Sequence, residues 1–349
     1  MAPVTVVGTI RIAQIAPPWT PVPPPLYCGI ELVVDLLSRG LQAAGHEVVL
    51  CTVRESTCPV PRRWVLEQAE AMRIGMAVPE LRHVVHAYEA VKDMDLVHDH
   101  TVFGPLYSER FPGLPVVTTN HGPFNDELTD LYRIVGERVP IVCISHDQRA
   151  MAPTVPVAQV IHHGIEAGRF PVGRGDGGFC LFLGRMAPEK GAHRAVEACR
   201  QARVPLLMAA KMREPAERAY FDAEVAPHLG DDVRYLGEVP HDEKLRLLGA
   251  AMALVNPIRW HEPFGLVMTE ALACGTPVVS FAEGAAPEII EHGRTGFLCE
   301  DESTMAEAIT RVPELDRSAC RAAVVGYFSL ERMVDEHVAL YERLLSDRR

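Results

Sequence analysis

What most constrains this chain is a rhythm: apolar runs of strand length alternate with stretches of helical periodicity along nearly all of its 349 residues. Residues 11–16, 47–52, 95–98, 115–119 and 140–144 read as strands, short and apolar on both faces rather than on alternate positions. Between the first two, Ile30, Val33, Val34, Leu37 and Leu41 recur at helical spacing. Gly45 then falls where a helix C-terminus takes a left-handed residue. Strands buried on both faces and joined by helices predict parallel sheets with helices on both sides, an α/β fold.

The rhythm pauses at the glycine-rich stretch 170–178, which reads as a linker, and restarts. Strands are expected at 179–183, 205–209, 233–236, 252–256 and 277–281, with helices near 191–202, from about 214, briefly after 236, and over 265–274. One core rarely grows past ~250–300 residues, so two α/β domains are expected. A last periodic segment, 330–345, follows the second. Ligands of such sheets bind beyond the carboxyl ends of the strands.

Composition excludes several classes. At 48% hydrophobic and 23% charged the chain is globular, and it has no apolar run of the ~18 residues a membrane span requires. Residues 1–8 lack the basic start and apolar block of a secretory signal. Nine scattered cysteines without a Cys-x-x-Cys pair suit reduced thiols, hence a cytoplasmic location. The net charge of −12, spread over both halves, argues against nucleic acid and leaves a small molecule as the expected partner. Nothing in the sequence fixes an oligomeric state.

Some patterns mislead. Gly173-x-Gly175-x-x-Gly178 has the spacing of a dinucleotide fingerprint but precedes a strand instead of following one. Asp93-x-Asp95 resembles a paired-carboxylate metal ligand but lies at the start of a strand, where a solvated turn is expected. His83, His86, His98, His100, His121, His146, His162 and His163 lack metal-ligand spacing and are expected at strand ends or on the surface. No metal site is expected.

Three strand exits in the second half carry chemistry. In LFLGRMAPEKG a strand ends at Gly184, and Arg185 and Lys190 fall in the turn before a helix, where cations and helix amides together suit a phosphate. In HEPFGLVMTEALACG, Glu262 precedes a helix start, Gly265 and Leu266 offer free amides, and Glu270 lies within the first turns. Two acceptor-only carboxylates around an amide nest fit a ligand with hydroxyls at two places and phosphate between. FAEGAAPE at 281–288 is the third exit.

The spacing Glu262…Glu270 in HEPFGLVMTEALACGTPVV, with LFLGRMAPEKG upstream, closely resembles retaining glycosyltransferases of family 4. PPPLYCGIELVVDLLSRGLQAAGHEVVL, VHDH, VVTTNHGPF, CISHDQRA and VIHHGIEAGRF occupy the expected positions in the first half. The resemblance implies a GT-B fold: two Rossmann-like parallel-sheet domains facing across a cleft. Residues 1–168 would bind acceptor, 169–328 the nucleotide-sugar donor, and 329–349 would form a helix returning to the first domain. The implied function is metal-independent hexosyl transfer from a nucleotide-diphosphate sugar to a hydroxyl of a soluble glycoside, natural product or glycan intermediate. The donor is a co-substrate, so no cofactor is implied.

Residue by residue, the resemblance places Arg185 and Lys190 on the diphosphate, with Lys211 in reach and Gly184 beside it. Glu262, with the amides of Phe264, Gly265 and Leu266, would hold the donor sugar and diphosphate. Glu270 would take the ribose hydroxyls, and Val239 would lie at the base. Gly29 would approach the diphosphate by its amide, His121 would stand beside the transferred sugar, and Tyr27, Glu31, His98 and His100 would face the acceptor. The chain departs from the family at Cys28-Gly29, often Gly-Gly, and at His163-Gly164-Ile165-Glu166, often Asn-Gly-Ile-Asp. Glycines often found after Leu207 are also absent. Competing readings are an epimerase or phosphorylase on the same fold, and a nucleotide-sugar-binding protein without turnover.

Overall fold

The rhythm closes into two parallel sheets. The computed structural model describes residues 8–26 and 28–347. They form two units: residues up to Gly164 together with those from Leu330 onward, and Ile165–Ser329. The first unit contains β1 (Arg11–Ile15), β2 (Glu47–Cys51), β3 (Arg62–Arg63), β4 (Leu96–Asp99), β5 (Val116–Thr119), β6 (Ile141–Cys143) and β7 (Val157–Val160). They pair in parallel in the order β3-β2-β1-β4-β5-β6-β7. The second contains β8 (Cys180–Arg185), β9 (Leu206–Lys211), β10 (Val233–Gly237), β11 (Ala253–Asn256), β12 (Val278–Phe281) and β13 (Gly296–Cys299). Their order is β10-β9-β8-β11-β12-β13, again parallel. All residues of β4, β5, β11 and β12 are buried, which explains why their apolar residues do not alternate; the polar ones gather at the strand ends.

Strand order reverses between β1 and β4 in one sheet and between β8 and β11 in the other. Connections on the two sides of such a reversal run over opposite faces, so a crevice opens at the carboxyl ends there. Both candidate sites lie at these two places.

Helix Gly29–Ala43 buries Val33, Val34, Leu36, Leu37 and Leu41. Its Gly40 lets the terminal helix Leu330–Ser346 approach, since a Cβ there would stand 2.4 Å from Val334 Cγ2. That helix completes the first unit by burying Leu330, Met333, Val334, Leu340 and Tyr341. Each fully buried large apolar side chain contributes roughly 1.5–3 kcal/mol.

The structure corrects one reading of the glycine-rich stretch. Gly173–Gly178 is not a linker between the units but a strap on the second one. The amides of Gly173, Gly175 and Gly177 donate to the carbonyls of Cys274, Gly249 and Ala250 at 2.9, 3.0 and 2.9 Å. A Cβ on Gly173 would overlap the Gly249 backbone at 2.0 Å, so glycine serves close packing here, not flexibility. Arg317 fastens the strap by donating to the carbonyls of Gly173, Ala251 and Gly249 and to Thr276 Oγ1. The start of β4 behaves as the sequence suggests: Asp95 accepts from the Arg11 amide and guanidinium at 2.7–3.1 Å and is committed to structure.

Candidate active site

In the second unit the site grows from three loops on one edge of the sheet. β8 ends at Arg185, in register with Lys211 at the end of β9. The Arg185 guanidinium donates to Glu189 at 2.6 Å and to Glu217 at 3.5 Å. Glu217 is itself fixed, because its other oxygen accepts the amides of Arg213 and Glu214 at 2.7 and 3.1 Å. Arg185 is thus held in one place while keeping 34% of its side chain exposed. Lys211 makes no ion pair among the described residues and is half-buried beside it.

Beyond Arg185 the chain turns at Gly191, whose φ is +73° and whose Cβ would lie 2.3 Å from the Pro257 carbonyl oxygen. Only glycine permits this contact, which presses the β8 loop against the loop leaving β11. Lys190 thereby reaches Glu262: its Nζ donates to the carboxylate and stands 5.1 Å from the centroid of the Trp260 ring. The β12 loop clamps Glu262 from behind. Ala285 donates its amide to the Glu262 carbonyl at 3.0 Å. Gly284, at φ +56°, lies so close that a Cβ would be 2.4 Å from the Glu262 nitrogen.

Phe264 is buried, and Gly265, at φ +94°, opens helix Leu266–Ala273. The first amides of a helix lack intrahelical acceptors and offer themselves to an anion. One turn in, buried Glu270 accepts from Lys244 Nζ at 2.6 Å. Val239 lies half-buried in the loop from β10 to helix His241–Ala250, which carries Lys244. A Cβ on Gly184 would meet nothing closer than 3.8 Å, so the protein's own packing does not demand glycine there. Arg185, Lys190, Glu262, Phe264, Gly265, Leu266 and Glu270 therefore belong to one edge of one unit. Sequence reasoning missed Lys244 and Glu217. Lys244 sits in the charged run HDEK, which reads as a solvated helix face, and nothing in that run signals Glu270, 26 residues on.

The first unit fills its crevice differently. Gln14 on β1, His98 on β4, His100 and His121 just beyond β4 and β5, His163, and His337 of the terminal helix lie together. His98 hydrogen-bonds Tyr341 Oη and Thr119 Oγ1, each at 2.7 Å. His100 Nδ1 meets His121 Nε2 at 2.8 Å, and its Nε2 meets Gln14 Oε1 at 2.7 Å. His337 Nδ1 meets the Met333 carbonyl at 2.7 Å. Strand alternation puts His98 and His100 on one side, while Asp99 turns away to accept from Tyr88 at 2.8 Å. His98, His100 and His121 thus stand at strand ends as expected, but His98, His100, His162 and His163 are buried rather than on the surface, and His83 is buried within helix Ala77–Val91.

Burial, then neighbouring histidines, pushes His98, His100 and His163 well below the usual imidazole range. Burial lowers His121 to about 3 and His337 to about 4. The cluster is therefore neutral at physiological pH: a set of hydrogen-bonding groups without charge. Of the remaining positions, Gly29 begins its helix, and Glu31 is buried, accepting from the Cys28 thiol at 2.6 Å. Burial, then Glu31, pushes that thiol up to about 12, which makes it inert. Tyr27 lies outside the described residues.

Comparison with known proteins agrees along the chain. Residues 166–323 match the glycosyl transferases group 1 and residues 27–169 glycosyltransferase family 4. A glycogen synthase of Mycobacterium tuberculosis is 31% identical over 367 aligned positions that cover 86% of each chain. The N-acetyl-alpha-D-glucosaminyl L-malate synthase of Bacillus anthracis is 34% identical over 128 residues, and the match spans 34% of this chain and 33% of that relative. Among solved structures, a glycosyltransferase involved in avilamycin A biosynthesis superposes with a TM-score of 0.75 at 25% identity, covering 97% of this chain and 98% of the other.

Proposed function

Because the chain belongs to the family 4, group 1 glycosyltransferases, enzymes of GT-B fold that move a sugar from a nucleotide-diphosphate donor to an acceptor, we propose a division of labour between its units. Residues 169–328 bind the donor and residues 1–168 the acceptor, with 329–349 as a returning helix; transfer is retaining and needs no metal. The observation that carries this reading is the clustering of two cations, two carboxylates and a helix start on the β8–β11 edge. Arg185 and Lys190, with Lys211 in reach, neutralise the diphosphate. Glu262 and the amides of Phe264, Gly265 and Leu266 hold the sugar, and Glu270 the ribose. Gly184 leaves room for the diphosphate to come close, and Val239 lies at the base.

Chemically, the anomeric C–O bond breaks and its electron pair passes to the leaving phosphate oxygen. The acceptor hydroxyl attacks from the same face, and its proton passes to that phosphate. Preorganised cations at the leaving oxygen are worth roughly 2.7–4 kcal/mol per donor removed in comparable sites. Glu189 and Glu262, paired with Arg185 and Lys190, hold these cations in place until a diphosphate competes for them. From the first unit, His121 meets the transferred sugar, the Gly29 amide the diphosphate, and Tyr27 and Glu31 the acceptor; His98 and His100, expected on the acceptor side, are buried with both ring nitrogens paired and can only brace it. No helix of the described residues is long and apolar enough to cross a membrane, and the nine free thiols favour the cytoplasm.

The test is thermal stabilisation by UDP, GDP, ADP and dTDP in EDTA, followed by NMR of the product formed from the matching nucleotide sugar. One stabilising nucleotide, loss of the shift in Arg185→Ala and a product of unchanged anomeric configuration are expected. A strict need for divalent metal, or no nucleotide response, overturns the reading.

A further inference from the structure

We infer that Gln14 and His100 are positioning residues that fix the tautomer of His121, leaving its Nδ1 a bare acceptor for a ligand hydroxyl. This rests on the reading of His121 as a sugar contact. The chain of reasoning begins at Gln14 Oε1, 2.7 Å from His100 Nε2. A carboxamide oxygen only accepts, so His100 Nε2 carries a proton. Burial keeps His100 singly protonated, so its Nδ1 is bare. That nitrogen stands 2.8 Å from His121 Nε2, which must then be the donor.

His121 is neutral for the same reason, and its one proton is already placed; Nδ1 is left bare. Nδ1 is buried without a hydrogen-bond partner among the described residues. His121 also lines a small cavity with His100, Thr119, His163 and His337. A buried acceptor without a partner costs free energy that a ligand can recover. A bare nitrogen accepts an O–H and opposes the lone pairs of a carboxylate or phosphate oxygen. The partner this geometry fits is a neutral sugar hydroxyl.

The test is long-range ¹H–¹⁵N correlation of histidine-labelled full-length protein at pH 7.5, with the His121 signals identified by their loss in His121→Gln. A protonated Nε2 and a bare Nδ1 are expected; a proton on Nδ1 overturns the inference, whatever the variants do. The Gln14 carboxamide oxygen is the acceptor on which the tautomer depends. Gln14→Leu removes it, so His121 should become a tautomer mixture and kcat should fall about tenfold, the worth of one hydrogen bond, with KM moving less. A Gln14→Leu protein with the wild-type tautomer also sinks the proposal. The expected tautomer in a protein that turns over no nucleotide sugar leaves this inference standing and removes the functional reading instead.

Discussion

The two units share one architecture and fill it with opposite chemistry. Each is a parallel sheet whose strand order reverses beside its first strand, and each gathers polar groups where it reverses. At the β8–β11 edge these are ion pairs, Lys190–Glu262 and Lys244–Glu270, with Arg185 still 34% exposed. At the β1–β4 edge they are histidines and an amide, stripped of charge by burial. Topology decides where polar groups gather; pairing with an opposite charge decides whether they keep their charge there.

The contrast breaks most readily in acid. An unfolded histidine takes up a proton below about pH 6.5, whereas folded His337 stays neutral down to about 4. The unfolded state then binds more protons, so stability is intact above pH 6.5 and falls below it. At pH 5 His337 alone removes roughly 2 kcal/mol. His98, His100, His121 and His163 act in the same direction, so the first unit should melt before the second. Melting curves between pH 8 and 5 would show this, with Trp260 fluorescence reporting the second unit once Trp19 and Trp64 of the first are replaced by Phe; a flat first transition denies that the cluster is buried and neutral.

Next in size, Lys190→Ala should lower kcat/KM by roughly 10²–10³. A change below tenfold would mean that Lys190 only braces Glu262. Lys244→Ala should raise the donor KM about tenfold with little change in kcat, since a charged hydrogen bond to Glu270 is worth ~1.5–3 kcal/mol. A drop in kcat alone would place Lys244 in the chemistry. The smallest structural effect belongs to Gly184→Ala, which should shift stability by less than about 0.5 kcal/mol yet weaken donor binding. Equal affinity in the variant would show that nothing approaches Gly184 closely.

The same contrast explains what the sequence made legible. That Arg185, Lys190, Glu262 and Glu270 fall on one sheet edge could be read because each stands at a fixed offset from a strand exit or helix start, a local pattern. The histidine network could not: His100 and His121 are joined across 21 residues, and His98 and Tyr341 across 243. No periodicity links such partners; only the pairing of β4 with β5 and the return of the last helix bring them together. β13 carries little sequence signal because its apolar run, Phe297 to Cys299, is too short to stand out between Gly293 and Asp301. Gly173–Gly178 misled for a related reason: composition reports the freedom of an isolated chain, not the carbonyls of Gly249, Ala250 and Cys274 waiting for its amides.

The terminal helix bears on how the protein is made. Domains fold as units as they leave the ribosome, at about 5–20 residues per second. Helix Gly29–Ala43 is synthesised early, but the surface that covers it at Gly40 arrives only with Leu330 and Val334. The unit that comes first in sequence is therefore finished last, and the later unit, Ile165–Ser329, can complete its sheet while its predecessor still waits for a missing wall. During that interval the face of the helix around Gly40 lacks its native cover, which makes nascent chains that end before Leu330 the ones for chaperones to hold.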